Sequence, residues 1–493
     1  MSAKLVYKDI AVGAAEDAYI TSDSADARSD ISKLPFGVIH PDLATLELNA
    51  WGGNGKKKIY NGQEVALISK AMSGADCTFS TPPSFKVEFD SNYTTLGISF
   101  RFATESVDYP TSLTIKWYRG ATLLDQKTFR PDGPSYFCEN TVIAFNKLVV
   151  TINATNLPYR YARIEQIMFG VVREFTGGEI GRVEILQEVN LISTKISFNT
   201  LNWTLQSKTG VNYIFQAKQP IYAYNSGSLI GVFYIDDGAK KLTDKKYTIP
   251  CTDAIGVLDT IPFEAVMYSN KNAVEALTEI VNGAFELEID PSLLSETVTG
   301  LNPKGTKRTA IQQIAFAIGA VVDTSGTDKI KIYRAPMSDP SEIPAAKVYS
   351  AGSVKTDSIV TAVIIAYHTY TEGSGTSGDD VIVVDGIKYV HTSGTVRIDN
   401  PNVTPSDKEN IKVIEDATLV NASNVAAVAA RVYAYYQRRD TLNSRIVVNG
   451  ELPGDYVSVP TKYNGTITGH IESMKIKLSN TTAADIAVKA VGT

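Results

Sequence analysis

Histidine is the usual general base of an active site, and this chain of 493 residues contains four of them. They are scattered along the sequence, at His40, His368, His391 and His470. His368 in IIAYHTYT and His470 in ITGHIES each lie inside an alternating strand pattern, which favours a structural role. No HExxH motif, no Cys/His cluster at metal spacing and no Walker loop accompanies them. We therefore expect isolated histidines, with no metal and no cofactor.

One glycine-rich segment matches a phosphate-binding pattern by its letters alone. Residues 373–378 read GSGTSG and satisfy GxGxxG. The apolar run VIVV at 381–384 then predicts a strand, whereas the phosphate site of this motif needs a helix N-terminus. The sequence therefore predicts a flexible surface loop here.

Two pairs of neighbouring acids could suggest carboxylate chemistry. Asp236-Asp237 and Asp379-Asp380 both lie next to glycine in turn contexts, where solvated carboxylates are the usual explanation. A glycoside hydrolase using two carboxylates is the most plausible enzyme, yet nothing fixes which pair would act. We interpret the chain as non-catalytic.

The number of cysteines and the net charge limit which cellular compartment and which binding partners are plausible. Cys77, Cys138 and Cys251 share no metal spacing; Cys77 and Cys138 could pair if their strands met, but free buried thiols are favoured. The net charge is −6, with 47 basic and 53 acidic residues spread along the chain, so nucleic acid is an unlikely partner. No apolar run reaches membrane-spanning length and no signal peptide is evident, which predicts a soluble protein made in a cytoplasm.

The elements that must position these residues are mainly β-strands. The length predicts about three to four domains. Residues 1–35 are polar and indicate an extended arm that orders against a partner. Residues 36–172 alternate apolar and polar positions and predict a β-sandwich, jelly-roll-like in form. The alternating apolar residues are Phe85, Val87, Phe89, Ile98, Phe100, Phe102, Leu113, Ile115, Trp117, Leu148, Val150 and Ile152.

Exposed aromatics of a β-sandwich can stack on sugar rings, which makes this domain a candidate carbohydrate-binding module. The candidates lie in turn-rich segments: Trp51, Tyr60, Tyr118 and Tyr136. Packing in the core or at its rim is the commoner role of such aromatics, and both readings stay open.

Three further regions complete the chain. Residues 173–260 contain strands at hairpin spacing and predict a small antiparallel β-barrel. Residues 261–345 predict an α+β module, with one helix at 273–281 capped by Asn272 or Ser269. A second helix is predicted at 306–318, capped by Thr306 and closed by Gly319, followed by a hairpin around residues 324–326.

Residues 346–493 return to strands and predict a second barrel, with a helix inserted at 421–441. That helix carries an apolar stripe of Val425, Val428, Ala429, Val432 and Tyr436, which indicates core packing. In the strands that follow we expect one set of residues to face the barrel interior, with Lys475 and Lys477 facing away. The inward set is Val447, Tyr456, Val457, Val459, Met474, Ile476 and Leu478.

Taken in this order, residues 173–493 resemble the phage tail hub family, typified by the baseplate hub of T-even phages and the tail-tip proteins of phages of Gram-positive bacteria. Four stretches carry the resemblance: GRVEILQEVNLISTKISFNTLNWTLQS, GVFYIDDGAKKLTDKKYTIPCTDAIGVLDTIPF, TKRTAIQQIAFAIGAVVDTSGTDKIKIYR and the run from 425 to 478. The upstream β-sandwich departs from the T-even arrangement and resembles an added domain of Gram-positive prophages.

The resemblance implies a structural hub at a virion tail tip or baseplate, assembled in the bacterial cytoplasm. It implies a homotrimer, because two barrels per chain give six around a sixfold tail tube. Tail tube or distal tail proteins and spike or fibre proteins would be its partners. The alternative is a tail protein that recognises a host cell-surface glycan through the β-sandwich.

Overall fold

The computed structural model describes residues 3–11, 13–27, 67–103, 107–207, 215–236, 240–243, 245–376, 380–461, 465–478 and 482–490. Its secondary structure is 56% strand and 12% helix, so the prediction of a mainly β, multidomain chain is confirmed. The chain divides into two compact units, Val6–Glu174 and Met1–Leu5 together with Phe175–Thr493.

The unit Val6–Glu174 is built almost entirely from strands. It contains β1 (Ala3–Ile10, shared with the other unit), α1 (Ala14–Asp17), β2 (Tyr19–Thr21), β3 (Ala25–Ala27), β4 (Leu67–Met72), β5 (Ser84–Arg101), β6 (Pro110–Arg119), β7 (Thr122–Phe129), β8 (Ser135–Thr155), β9 (Tyr161–Ile164), β10 (Gln166–Met168) and β11 (Gly170–Thr176).

Two sheets of this unit share one core. The larger has the order β10-β5-β8-β6-β7, with β2 added to β5, and the smaller has the order β3-β4-β9. All twelve alternating apolar residues that the sequence singled out are buried in this core, together with Leu67 of β4 and Ile164 of β9. Cys77 and Cys138 do not pair: both are free thiols, as is Cys251. Cys138 and Cys251 are buried as expected, whereas Cys77 is only half-buried.

In its described residues, the first part of the second unit alternates strands with three α-helices. Its elements are β12 (Ile180–Glu188), β13 (Thr200–Gln206), β14 (Pro220–Asn225), β15 (Ser228–Ile235), β16 (Lys240–Thr243), β17 (Lys246–Thr252), α2 (Ala254–Leu258), β18 (Pro262–Phe263), β19 (Val266–Asn272), α3 (Ala273–Val281), β20 (Leu287–Ile289), β21 (Thr297–Asn302), β22 (Gly305–Thr306), α4 (Lys307–Ile318), β23 (Val321–Asp323) and β24 (Ile330–Tyr333).

Its second part contains one further helix. The elements are β25 (Ser341–Glu342), β26 (Val348–Thr356), β27 (Ala362–Glu372), β28 (Asp380–Val384), β29 (Ile387–Asp399), β30 (Ile411–Ile414), α5 (Val425–Tyr436), β31 (Asp440–Val447), β32 (Tyr456–Pro460), β33 (Thr466–Lys477) and β34 (Ala483–Ala490).

The strands of the first predicted barrel pair with β26 and β31–β34 of the second in one continuous sheet. The other strands assigned to the second barrel, β27–β30, form a separate four-stranded sheet. The order of the continuous sheet within this unit is β14-β15-β17-β13-β12-β33-β34-β31-β26, with β16 on β17 and β32 on β33. Its two strand sets meet where β12 pairs antiparallel with β33, with Ile185 opposite Ile476. Both isoleucines are buried, so the junction is part of the core and not a surface contact.

The helices α3 and α4 form a core with α2 and the short strands around them. Helix α3 begins at Ala273, and the side chain of Asn272 accepts hydrogen bonds from the backbone N–H groups of Val274 and Glu275. The N-cap is therefore Asn272 rather than Ser269. The prediction of α4 is also confirmed, with Thr306 as its N-cap and Gly319 in the left-handed conformation that ends it.

Helix α5 packs on the four-stranded sheet β28-β29-β27-β30. Val425, Val428, Ala429 and Val432 are buried in that core and Tyr436 packs against it, so the stripe is core packing as predicted. The helix is shorter than the predicted span 421–441, because residues 421–424 form turns before it.

Two residues of the expected inward set belong to the opposite face. Val457, Val459, Met474, Ile476 and Leu478 are buried, and Lys475 and Lys477 are exposed, as expected. Tyr456 and Val447 are only half-buried, because each neighbours a buried strand residue, Val457 or Ile446, and so points to the other side of the sheet. No helix in the described part of the chain has the length and apolar character needed to span a membrane.

Candidate functional site

The segment Cys251-Thr252-Asp253-Ala254-Ile255-Gly256 places a buried carboxylate at the start of α2. The Asp253 side chain accepts a hydrogen bond from the backbone N–H of Gly256 at 2.9 Å and so caps the helix. It accepts two more, from the Asn199 backbone N–H at 2.8 Å and from the Thr324 hydroxyl at 2.6 Å. Three donors therefore converge on one carboxylate.

The same network ties the first strand set to the α+β module. The Asn199 amide donates to Thr324 at 2.9 Å and to Ser325 at 3.2 Å, and its carbonyl oxygen accepts from the Glu188 backbone N–H at 2.9 Å. Burial raises the pKa of the Asp253 carboxyl to about 6, against the three hydrogen bonds, which act to lower it. Because its donors all come from the protein, Asp253 serves as a structural anchor.

Gly256 explains why this turn needs a residue without a side chain. A Cβ built on Gly256 would lie 1.7 Å from the Thr252 hydroxyl oxygen. The backbone of α2 therefore approaches the end of β17 more closely than any other residue type permits. The Asp-x-x-Gly spacing is a consequence of packing.

A second polar cluster joins the C-terminal end of α5 to the closing strands. The His470 Nδ1 accepts a hydrogen bond from the Arg438 guanidinium at 2.7 Å, and its Nε2 donates to the Pro336 carbonyl oxygen at 2.5 Å. These contacts require the neutral ring with its proton on Nε2. Burial, followed by the charge of Arg438, lowers the pKa of His470 to about 4, while the bond to Pro336 opposes that shift.

Beside it, the Tyr435 hydroxyl donates a hydrogen bond of 2.8 Å to the Glu472 carboxylate on β33. Burial raises the pKa of Glu472, and the hydrogen bond from Tyr435 opposes that shift. The strand pattern predicted a structural role for His470, and its contacts are those of a structural residue. Its partners could not be read from the sequence.

The expectation that every histidine stands alone is wrong for two of them. The His368 Nδ1 lies 3.0 Å from the His391 Nε2, and the His391 Nδ1 lies 2.7 Å from the Asp380 carboxylate. The pairing of β28 with β29 places Asp380 directly opposite His391. The turn context had suggested that Asp380 is a solvated carboxylate, but its side chain contacts His391.

A signal for this contact was present in the sequence. Asp385-Gly386 is a typical two-residue hairpin turn, and both residues have the positive φ that a type I′ turn requires, 51° and 80°. A two-residue turn fixes the register of the strands beside it and so places Asp380 opposite His391. The segment 373–376 before β28 is loop, and a strand follows the GxGxxG match as predicted.

The structure shows two of the four aromatic residues predicted to bind glycans. Trp51 and Tyr60 lie outside the described residues. Tyr118 is half-buried on β6, with the Lys147 ammonium 5.7 Å from its ring centre, whereas Tyr136 on β8 packs against the core. Tyr118 pairs with Lys147 on β8. Tyr136 lies eleven positions earlier on that same strand, which corresponds to roughly 35 Å along an extended strand. The two tyrosines therefore do not form one patch.

Among the described residues, no group of three or more His, Cys, Asp or Glu side chains could hold a metal ion. Of the three polar clusters described above, the histidine chain has the most exposed member, because the Asp380 side chain is 67% exposed.

No protein-family model matches the chain, and no curated protein matches it. Among solved structures it is similar to the 43 kDa tail protein of prophage MuSo2 from Shewanella oneidensis, at 12% identity and a TM-score of 0.45 over 64% of this chain and 96% of that one. It is also similar to a tail protein from Neisseria meningitidis, at 12% identity and a TM-score of 0.45 over 64% of this chain and 93% of that one. A prophage tail protein from Listeria monocytogenes is similar at 13% identity and a TM-score of 0.42, over 65% of this chain and 92% of that one. All three are tail proteins by name, and two of them come from prophages.

Proposed function

We propose that the chain is a structural protein of a phage tail or tail-like particle, a hub that joins the tail tube to spike or fibre proteins. It would lie at the tail tip or baseplate of the virion. In the sequence, the proposal rests on the order of strand sets, α+β module and inserted helix between residues 173 and 493.

The observation that carries the proposal is the continuous sheet of the second unit. The β12–β33 pairing joins two strand sets side by side, so a single chain supplies two neighbouring segments of one sheet. A ring of three such chains would present six segments, which suits a sixfold tube. This arithmetic supports a homotrimer better than any other small ring.

One end of that sheet favours association. Among the pairings of the described residues, β26 has one partner, β31, and its other edge is open. Tyr349 on β26 is 61% exposed and Val354 is 45% exposed. Open edges with apolar side chains are normally covered, and a neighbouring copy would cover this one.

The oligomeric state tests the proposal. Native mass spectrometry of the full chain is expected to give a trimer, and the double variant Tyr349→Lys/Val354→Lys is expected to give monomer. Leu123→Lys is a matched control, because Leu123 is 48% exposed but lies on β7 of the other unit. A wild-type protein that stays monomeric, alone and with tail tube protein, would contradict the hub proposal.

The glycan-binding alternative rests, within the described residues, on Tyr118, whose ring lies on the outer face of its sheet beside Lys147. A glycan array on the full chain tests it. A signal lost in Tyr118→Ala but kept in Tyr136→Phe would support a sugar site. A blank array would leave the sheet as a spacer or a docking surface for neighbouring tail proteins.

A further inference from the structure

A chain of side-chain hydrogen bonds crosses the whole sheet β28-β29-β27-β30. It begins at Asp380 on the edge strand β28, passes through His391 on β29 and His368 on β27, and ends at the Glu415 carbonyl oxygen just after β30. The three contacts measure 2.7, 3.0 and 3.0 Å. Each strand of the sheet is thereby tied to the next on the face opposite α5.

The number of protons that this chain needs exceeds what two neutral imidazoles carry. Its ends, the Asp380 carboxylate and the Glu415 carbonyl, can only accept, so His391 Nδ1 and His368 Nε2 must both donate. The central contact between the two rings needs a third proton. Two neutral imidazoles supply two, so all three hydrogen bonds exist together only when the pair carries one additional proton and one positive charge.

We propose that the Asp380–His391–His368 chain is a proton-dependent latch, closed when the pair holds the third proton and opened by its loss. Without that proton, one of the three contacts becomes a meeting of two lone pairs and must break. β28 and β30 are the two edge strands of this sheet, each with one partner among the described residues. Ile414 of β30 packs against the core beneath α5, whereas no described residue of β28 belongs to that core, so β28 has less other support. Opening therefore removes one of the side-chain contacts that support the β28–β29 hairpin in the sheet.

The groups around the two rings differ between the outer and the inner end of the chain. Asp380 provides a negative charge against His391, and the Tyr370 ring stacks on His391 with a centroid distance of 5.0 Å. Burial raises the pKa of Tyr370 to about 12, so it stays a neutral phenol. At the inner end, burial is the main cause that lowers the pKa of His368, while Asp416 acts in the opposite direction. The Asp380 carboxylate therefore places a negative charge at the outer end of the chain, next to His391.

The latch would act on the hairpin formed by β28 and β29. The hairpin of β28 and β29 exposes apolar side chains near its turn, with Val383 57% exposed and Ile387 42% exposed. Since the proton is bound at low pH and lost as the pH rises, the hairpin is held more firmly under acidic conditions than under alkaline ones.

Hydrogen exchange of the full chain, read by mass spectrometry at pH 5.5 and pH 8 and corrected for the intrinsic rate, tests this directly. We expect the protection of β28 and of the first half of β29 to fall on the order of tenfold between the two conditions, the effect of one hydrogen bond. Strand β33 serves as the internal reference and should not show this change.

Two variants separate the latch from a general effect of pH. In His368→Gln/His391→Gln no ring can titrate, and each neutral amide nitrogen carries two protons, so the hairpin should stay equally protected at both pH values. In Asp380→Asn the acceptor remains but its negative charge is lost, so the loss of protection should begin at a lower pH than in the wild type.

Asp399→Asn is the matched control, since Asp399 is an exposed carboxylate at the far end of β29 and bonds Arg397. It should behave as wild type. The latch is refuted by equal wild-type protection at both pH values, by a pH dependence that survives in the double glutamine variant, or by an Asp399→Asn shift equal to that of Asp380→Asn. None of these results bears on the proposed hub, since no partner protein is involved.

Discussion

Asp253 and His470 show how single buried polar residues hold the second unit together through hydrogen bonds. Asp253 accepts from three donors, and His470 both accepts and donates. Their titrations act in opposite directions. The raised pKa of Asp253 favours the fold below the ordinary carboxyl range and weakens it as the pH rises through about 6. His470 does the reverse.

The first prediction concerns His470. Its pKa in the folded chain is about 4, below the ordinary value of 6.5, so the unfolded chain takes up the proton first as the pH falls. The stabilisation is present above pH 6.5 and is lost between there and about pH 4, by up to about 3 kcal/mol. Urea unfolding midpoints measured between pH 7.5 and 4.5 should therefore fall.

His470→Gln is the control, since an amide can accept from Arg438 and donate to the Pro336 carbonyl but does not titrate. Its unfolding midpoint should fall less with acid than that of the wild type, and the difference isolates this ring from all other groups. Parallel profiles of the two proteins would contradict the prediction.

The second prediction concerns the contact between Gly256 and Thr252. Gly256→Ala should lower the free energy of unfolding by about 1–3 kcal/mol, because the new methyl group would overlap the threonine hydroxyl. Adding Thr252→Ala should recover part of that loss, since it removes the atom in conflict. A double-mutant cycle by chemical denaturation measures the coupling; strictly additive losses would place the cost elsewhere.

At the scale of elements, the helix ends follow from capping chemistry. The third prediction separates the two candidate caps of α3. Asn272→Ala should cost about 1 kcal/mol, because it leaves the N–H groups of Val274 and Glu275 without their acceptor. Ser269→Ala, at an exposed position outside the helix, should change the unfolding free energy by less than about 0.5 kcal/mol. A reversed order of the two losses would show the assigned cap to be wrong.

Features encoded locally could be predicted from the sequence, and features set by distant pairing could not. Thr306 and Gly319 bound α4 because capping depends on a few neighbouring residues. The alternation of Phe85, Val87 and Phe89 likewise gave the buried face of β5 directly. In contrast, the contact of His368 with His391 depends on the register of β27 against β29, which no short turn fixes.

The two misassigned strand residues have a similar cause. Val447 and Tyr456 are apolar enough to suggest an inward face, but β31 and β32 are in the opposite phase at these positions. A strand pattern tells which residues share a face, and a residue at the end of a strand contributes little to deciding which face is buried.

At the scale of the whole molecule, the β12–β33 junction makes the two strand sets of the second unit one body. The fourth prediction follows: Ile185→Ala and Ile476→Ala should each cost about 2–4 kcal/mol and lower one shared unfolding transition of this unit. Calorimetry of the full chain measures it, with Ile185→Val as the milder control. Two transitions that respond separately to the two variants would show independent barrels.

This junction could not be predicted from the sequence, because alternation marks β12 and β33 as half-buried strands without naming their partners. The pairing places Glu188 opposite Ser473, although almost the whole sequence of the second unit lies between these two residues. The resemblance to tail hubs suggested two β regions, and the edge-to-edge continuity of their strands became evident only in the structure.

The β12–β33 pairing also means that β12 is synthesised long before its partner strand. A ribosome that has just made β12 must add about 285 further residues before Ser473 exists to cover its edge, which takes roughly 15–60 s at bacterial and other elongation rates. During that interval the edge of β12 that later pairs with β33 can form its backbone hydrogen bonds only with water or with another chain. A product that stops before β33 leaves this edge of β12 without its partner strand, so a prematurely terminated chain lacks the continuous sheet of the second unit.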